Sequence, residues 1–180
     1  MARAVFLDRD GTILEDPGFL HQPGRARLLP GAGEAIRRLN AAGFLVVTVS
    51  NQSGIARGLY DVAAYHAVQR RLGELLAAHG ARIDAAYFCP HHPEITGPCE
   101  CRKPGTLLFR EAQAALGIDF GRSAFVGDRP SDVEPARALG GRGILVETGA
   151  GGAHVAQARV LSATVVRDLV AAVDEIVRAA

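Results

Sequence analysis

Lysine is nearly absent from this 180-residue chain: nineteen arginines carry its positive charge, and Lys103 stands alone among them. A chain that uses arginine for generic surface charge needs a reason for the exception. A compact ammonium fits where a planar guanidinium is too large or wrongly shaped. Cysteine is also scarce. The three present, Cys89, Cys99 and Cys101, fall in one short segment, an odd and clustered count that speaks against a disulfide scaffold and for metal or redox chemistry. A surplus of either charge is missing too. The formal net charge is +1, without the basic excess of a nucleic-acid binder. No apolar run is long enough to span a bilayer. The N-terminus enters the apolar Ala4–Leu7 directly, with no room for a signal peptide. The expectation is a cytoplasmic protein with no nucleic-acid and no membrane partner, and, without an obvious apolar surface stripe, a monomer.

What is present is a regular alternation of apolar runs and helical patterns. Ala4–Leu7, 44–49, 85–88, 124–126 and 143–146 read as short buried strands, and 164–166 as an edge strand. Between them, 34–41, 61–79, 106–116, 130–139 and 169–179 read as helices. Asp61 is the cap of the second, whose inner side takes Val62, Tyr65, Val68, Leu72, Leu75 and Leu76. Gly149–Gly152 reads as a flexible loop. Strands alternating with helices at this spacing imply right-handed crossovers, a single doubly wound α/β domain over residues 1–180, and a parallel sheet covered on both faces. The segments between motifs are consumed by these elements, which leaves no room for a cap domain.

Ligands of such sheets bind beyond the carboxyl ends of the strands. There the sequence delivers Asp8 and Asp10, then Ser50 and Asn51, then Gly127 and Asp128. Two carboxylates two residues apart suit phosphoryl transfer: one attacks phosphorus while the other protonates the leaving oxygen and later deprotonates water. The charge of the phosphate must also be offset. Mg²⁺ held by few carboxylates serves that purpose, with Asp128 as an added ligand. Ser50 can donate to one phosphate oxygen and Lys103 can place its charge on another. Asp132 reads either as a carboxylate holding metal-bound water or as a first-turn residue complementing a helix dipole.

The cysteine segment runs Cys89-Pro90-His91-His92 and, after a short stretch, Cys99-Glu100-Cys101. Three thiolates and one imidazole make a closed tetrahedral site suited to structural Zn²⁺. His91, two residues from Cys89, is the expected fourth ligand. Such a site would fold the loop over 89–101 and aim Arg102 and Lys103 at a phosphate.

These residues carry a resemblance. Residues 5–12, Val-Phe-Leu-Asp-Arg-Asp-Gly-Thr, are similar to the first signature of the haloacid dehalogenase superfamily; Ser50, Lys103 and Gly127-Asp128 with Asp132 match the other three. The resemblance implies a phosphatase with Asp8 as nucleophile and Asp10 as acid/base. It implies Mg²⁺ bound by the Asp8 side chain, the Asp10 backbone carbonyl and the Asp128 side chain. The cysteine loop further resembles a zinc-containing branch comprising D,D-heptose 1,7-bisphosphate and histidinol-phosphate phosphatases. Residues 51–58 and 16–19 lie closer to the heptose pattern, which implies removal of the 7-phosphate. Ser50 and Arg129 depart from the usual threonine and lysine but keep the donor and the charge. An uncapped site takes specificity from loops, so Asp16, Pro17, Gly18, Phe19, Asn51, Gln52, Ser53, Arg102 and Arg129 are the expected sugar-phosphate contacts. Arg57 reads as a contact to a second phosphate or as a solvated loop charge. A histidinol-phosphate or broad sugar-phosphate phosphatase, and a non-catalytic zinc-stabilised binding protein, are the competing expectations.

Overall fold

A computed structural model describes residues 1–179. Six strands, β1 (Ala4–Leu7), β2 (Leu45–Asn51), β3 (Ala85–Cys89), β4 (Ala124–Gly127), β5 (Arg142–Val146) and β6 (Thr164–Val166), form one sheet in the order β3-β2-β1-β4-β5-β6. Every neighbouring pair is parallel. The period of two along each strand sends alternate side chains to opposite faces. Val5 and Leu7 join a core with helices α1 (Ala32–Ala41), α2 (Val62–Ala77) and α7 (Leu169–Arg178), while Ala4 and Phe6 join a second with α4 (Leu107–Leu116) and α5 (Pro130–Leu139). Phe6 lies at the centre of the second, with ring centroids 4.8 Å from Phe125 and 5.2 Å from Phe109. Such pairs contribute about 0.5–1.5 kcal/mol each beyond their buried area. The short α3 (Pro93–Thr96) lies in the cysteine loop, and α6 (Val155–Val160) covers β5 through Ala158.

The order of the strands and the five longer helices matches the sequence reading, the short α3 and α6 are additions to it, and a few further differences matter for the site. Strand β2 continues through Ser50 and Asn51 because β3 pairs with it to its end, Asn51 opposite Cys89. Asp61 does cap α2, accepting from Ala64 N at 2.8 Å, but Val62 is exposed at 42% rather than inward. The first buried residue of α2 is Tyr65, so the apolar stripe begins there. Residues 149–152 are not a loose loop. Gly151 is buried, and Thr148 Oγ1 donates to Gly11 O at 2.7 Å. No second sheet forms among the described residues, and no helix among them is long and apolar enough to cross a membrane.

Candidate active site

All strands point the same way, so β1, β2 and β4 end side by side, and Asp8 follows β1 at the centre. Its backbone N–H donates to Val126 O at 2.9 Å, which fixes it between its neighbours. The Asp8 carboxylate is 2.8 Å from Lys103 Nζ, whose other partners are Asp132 Oδ1 at 2.7 Å and the Val49 carbonyl. Three acceptors therefore surround one almost fully buried ammonium. Burial alone would discharge it, but Asp132 and Asp8 outweigh burial and hold Lys103 above its ordinary range. Asp132 also accepts Arg129 N on Oδ2 at 2.9 Å. Both of its oxygens are thus engaged, one closing the first turn of α5 and one fixing the lysine. Neither sequence reading of Asp132 included the second of these tasks.

Burial pushes the Asp8 carboxyl up to about 8, with Lys103 opposing and Asp132, Asp128 and Asp10 reinforcing. Asp128 is pushed up to about 6 by burial, opposed by the Ala150 N–H that donates to Oδ2 at 2.8 Å. Asp128 Oδ1 is buried without any partner. Asp8, Asp128 and Asp132 offer oxygens within 4.8 Å of one another. Three carboxylates against one ammonium leave negative charge that burial makes expensive. An orphaned carboxylate oxygen inside that cluster fits a hard divalent cation such as Mg²⁺. The close approach around it requires glycine. Gly11 has φ +86°, and a Cβ on Gly149 would stand 2.7 Å from Gly11 Cα.

The Asp10 side chain is not part of that cluster. Arg9, fully buried, donates through Nε to Asp10 Oδ1 at 3.0 Å and through Nη2 to Oδ2 at 2.9 Å, and its guanidinium lies 5.2 Å from the Tyr65 ring centroid. Gln52 Nε2 adds a third donor to Oδ2 at 3.0 Å. The side chain being so committed, the backbone carbonyl is the group through which Asp10 can meet a cation. Ser50, at the end of β2, is buried and accepts from Gln52 Nε2 at 3.1 Å.

A cavity of about 540 Å³ opens over these groups, and Asp8, Asp10, Lys103 and Asp132 line it. Its walls include Asp16, Gly18, Phe19, Asn51, Gln52, Ser53, Arg102 and Arg129, all expected from sequence. Pro17 is not among the lining residues. It lies on the outside of a turn in which Gly18 N donates to Asp16 Oδ1 at 2.9 Å. Asn51 does different work from that expected: its amide both accepts from Lys103 N at 3.0 Å and donates to Lys103 O at 3.1 Å, clamping the lysine's backbone. The Gln52 amide is spent on protein partners, and its exposure is 3%. Arg57 meets neither phosphate space nor bulk solvent alone; it donates to His92 Nε2 at 2.8 Å beside the Phe19 ring. Sequence reasoning missed Arg9, Tyr60, Ala150 and His154. The last, an exposed-looking histidine by sequence, is on the cavity wall.

The cysteine loop gathers Cys89, His91, Cys99 and Cys101 within 4.8 Å of one another. Sulfur–sulfur separations run 3.0, 3.5 and 3.7 Å, and His91 Nδ1 is 3.2 Å from Cys101 Sγ. Ligands about 2.3 Å from a tetrahedral centre would be about 3.8 Å apart, so the set fits zinc with small adjustments. His92 is outside the cluster, held by Arg57. Cys89, the innermost thiol, is pushed up by burial, which a bound cation would reverse. Arg102 follows immediately and donates to His91 O at 3.3 Å, tying the loop to the cavity wall.

Comparison with known proteins places these features in context. Residues 100–172 match the hydrolase-like family profile described as HAD-hydrolase-like. A D-glycero-D-manno-heptose-1,7-bisphosphate 7-phosphatase of Thermosynechococcus vestitus is 45% identical, over 82% of this chain and 80% of its own length. The D-glycero-beta-D-manno-heptose-1,7-bisphosphate 7-phosphatase of Escherichia coli strain K12 is 40% identical, over 81% of this chain and 80% of its own. Among solved structures, the D,D-heptose 1,7-bisphosphate phosphatase from B. bronchiseptica, complexed with magnesium and phosphate, superposes with a TM-score of 0.89. It is 35% identical and covered, like this chain, over 99% of its length.

Proposed function

The chain belongs to the heptose-1,7-bisphosphate 7-phosphatase family of haloacid dehalogenase-like hydrolases, and from that premise we propose that it removes the 7-phosphate of D-glycero-D-manno-heptose 1,7-bisphosphate through an aspartyl-phosphate on Asp8. The observation that carries this reading is the Asp8 carboxylate, set at the end of the central strand 2.8 Å from the chain's only lysine on a cavity floor. In the first step an Asp8 oxygen forms a bond to phosphorus as the bond to the sugar oxygen breaks. Asp10 gives that leaving oxygen its proton. In the second step Asp10 takes a proton from water, the water oxygen bonds to phosphorus, and inorganic phosphate leaves Asp8 free. Lys103 and Ser50 bind phosphate oxygens, the one as a fixed charge and the other as a hydroxyl donor. Mg²⁺, held by the Asp8 and Asp128 side chains and the Asp10 carbonyl, would neutralise the charge of the transferring group.

The retained 1-phosphate accounts for Arg102 and Arg129, two further cationic residues that line the cavity. A histidinol phosphate, with an amine in place of that phosphate, would leave both without a counter-charge. Heptose bisphosphate is therefore expected to exceed histidinol phosphate in kcat/KM by at least about tenfold, from one charge-assisted contact. Equal or reversed preference, measured as phosphate release with Mg²⁺ present, would overturn the sugar assignment while leaving the phosphatase intact.

The cysteine loop takes a structural role in this reading: Zn²⁺ on Cys89, His91, Cys99 and Cys101 stiffens the segment that ends in Arg102 and Lys103. About one zinc per chain is expected by elemental analysis. Cys101→Ser should lower both the zinc content and Tm. A zinc-free preparation with undiminished Tm would remove the loop from the argument.

A further inference from the structure

Gln52 has four hydrogen-bonding capacities in its side-chain amide, and four protein groups meet them. Oε1 accepts from Arg9 Nη2 at 3.3 Å and from the Tyr60 hydroxyl; Nε2 donates to Asp10 Oδ2 at 3.0 Å and to Ser50 Oγ at 3.1 Å. The chemistry of the partners fixes which end is which. Arg9 can only donate, so a flipped amide would set two donors against each other. Gln52 is thus a coupler between the wall of the cavity and the carboxylate at its floor, with nothing left over for a ligand.

Tyr60 is the outer end of that chain. It is itself immobilised: its ring stacks on His21 at 5.5 Å with planes 6° apart. Gly54 stands so close beneath it that a Cβ there would collide with the ring. Burial pushes its hydroxyl up to about 12, so it remains a donor across the neutral range. Without it, Oε1 would keep only the longer Arg9 contact, and the amide could rotate about its last torsion, which is soft and roughly two-fold.

We infer that Tyr60 is a positioning residue for proton transfer: by holding the Gln52 amide it fixes the Asp10 carboxylate that must reach the leaving oxygen. The inference rests on the reading of Asp10 as the acid. It makes Tyr60 act on leaving-group departure, not on recognition of the sugar, although its ring lines the cavity.

Three substrates separate these roles in Tyr60→Phe, which keeps the ring and removes only the hydroxyl. In kcat/KM, which reports steps up to departure of the leaving group, the heptose bisphosphate and a simple alkyl phosphate should both fall about tenfold, a fraction of a full acid contribution. p-Nitrophenyl phosphate, whose leaving group needs no proton, should change by less than about twofold. A loss confined to the heptose bisphosphate would mean a direct sugar contact and overturn the inference. An equal loss on all three would mean general disturbance and also overturn it. In a second measurement, the double variant of Tyr60→Phe and Gln52→Met should lose no more on the alkyl ester than Gln52→Met alone. Additive losses would show that Tyr60 does not act through Gln52. If the wild-type enzyme preferred a different sugar phosphate, the heptose assignment would fall, but the alkyl-versus-aryl comparison would stand.

Discussion

Asp8→Asn is expected to abolish phosphate release, by more than about 10⁴-fold, while leaving the protein folded. The amide keeps the size of the carboxylate and can still accept from Lys103, but it has no anionic oxygen to attack phosphorus. Folding should not suffer. Asp8 is a buried carboxyl pushed upward by burial and by Asp132, Asp128 and Asp10, with only Lys103 opposing. Removing its charge relieves that repulsion, so the metal-free variant should have a Tm equal to or above that of the wild type. Rapid-quench detection of phosphoenzyme in the wild type and its absence in the variant would check the chemistry directly. Full turnover in the variant would sink the nucleophile.

Lys103 carries the second large expectation, and here charge alone does not suffice. Its Nζ sits among Asp8 Oδ1, Asp132 Oδ1 and the Val49 carbonyl, with 2% of the side chain exposed. Lys103→Met leaves two buried carboxylates facing each other, and breaking one side of a buried ion pair costs about 3–5 kcal/mol. Activity should fall with stability. Lys103→Arg is the more informative variant. It keeps the charge, but a planar guanidinium needs more room than three acceptors around one ammonium provide. It should lose at least about 100-fold in kcat, as displacing one preorganised donor from a transition state does. Near wild-type activity in Lys103→Arg, measured at saturating Mg²⁺, would show that the pocket tolerates what its geometry argues against.

Much of this site can be read in the chain before any coordinates. Short apolar runs that stop at polar residues give β1, β2 and β4, and parallel strands put their ends at one edge, so Asp8, Ser50 and Asp128 come together by topology alone. Lys103 stands out through composition. The cysteines stand out through clustering. Other parts leave no such trace. Arg9 looks like a solvent charge between two acids; its burial depends on Tyr65, Leu20 and Gln52, which reach it from other segments. The Asp128–Ala150 bond uses a backbone N–H, and any residue there supplies one. The nearest sequence signal was Gly149 just past the end of β5, where a missing Cβ lets the chain crowd Asp128. Gln52 reads as a substrate contact because an uncapped site takes specificity from its loops, and only the full set of its partners shows that its bonds are already taken.

The pairing of β1 with β4, Val5 opposite Ala124, has a consequence for how the enzyme comes into being. Asp8 is made well before Asp128, and Asp128 well before the Ala150 N–H that it accepts. Domains generally condense as units once their non-local strands have been made. A partly synthesised chain therefore holds Asp8, the proposed nucleophile, without the carboxylate and backbone donor that surround it in the fold until Asp128 and the segment at Ala150 have been made.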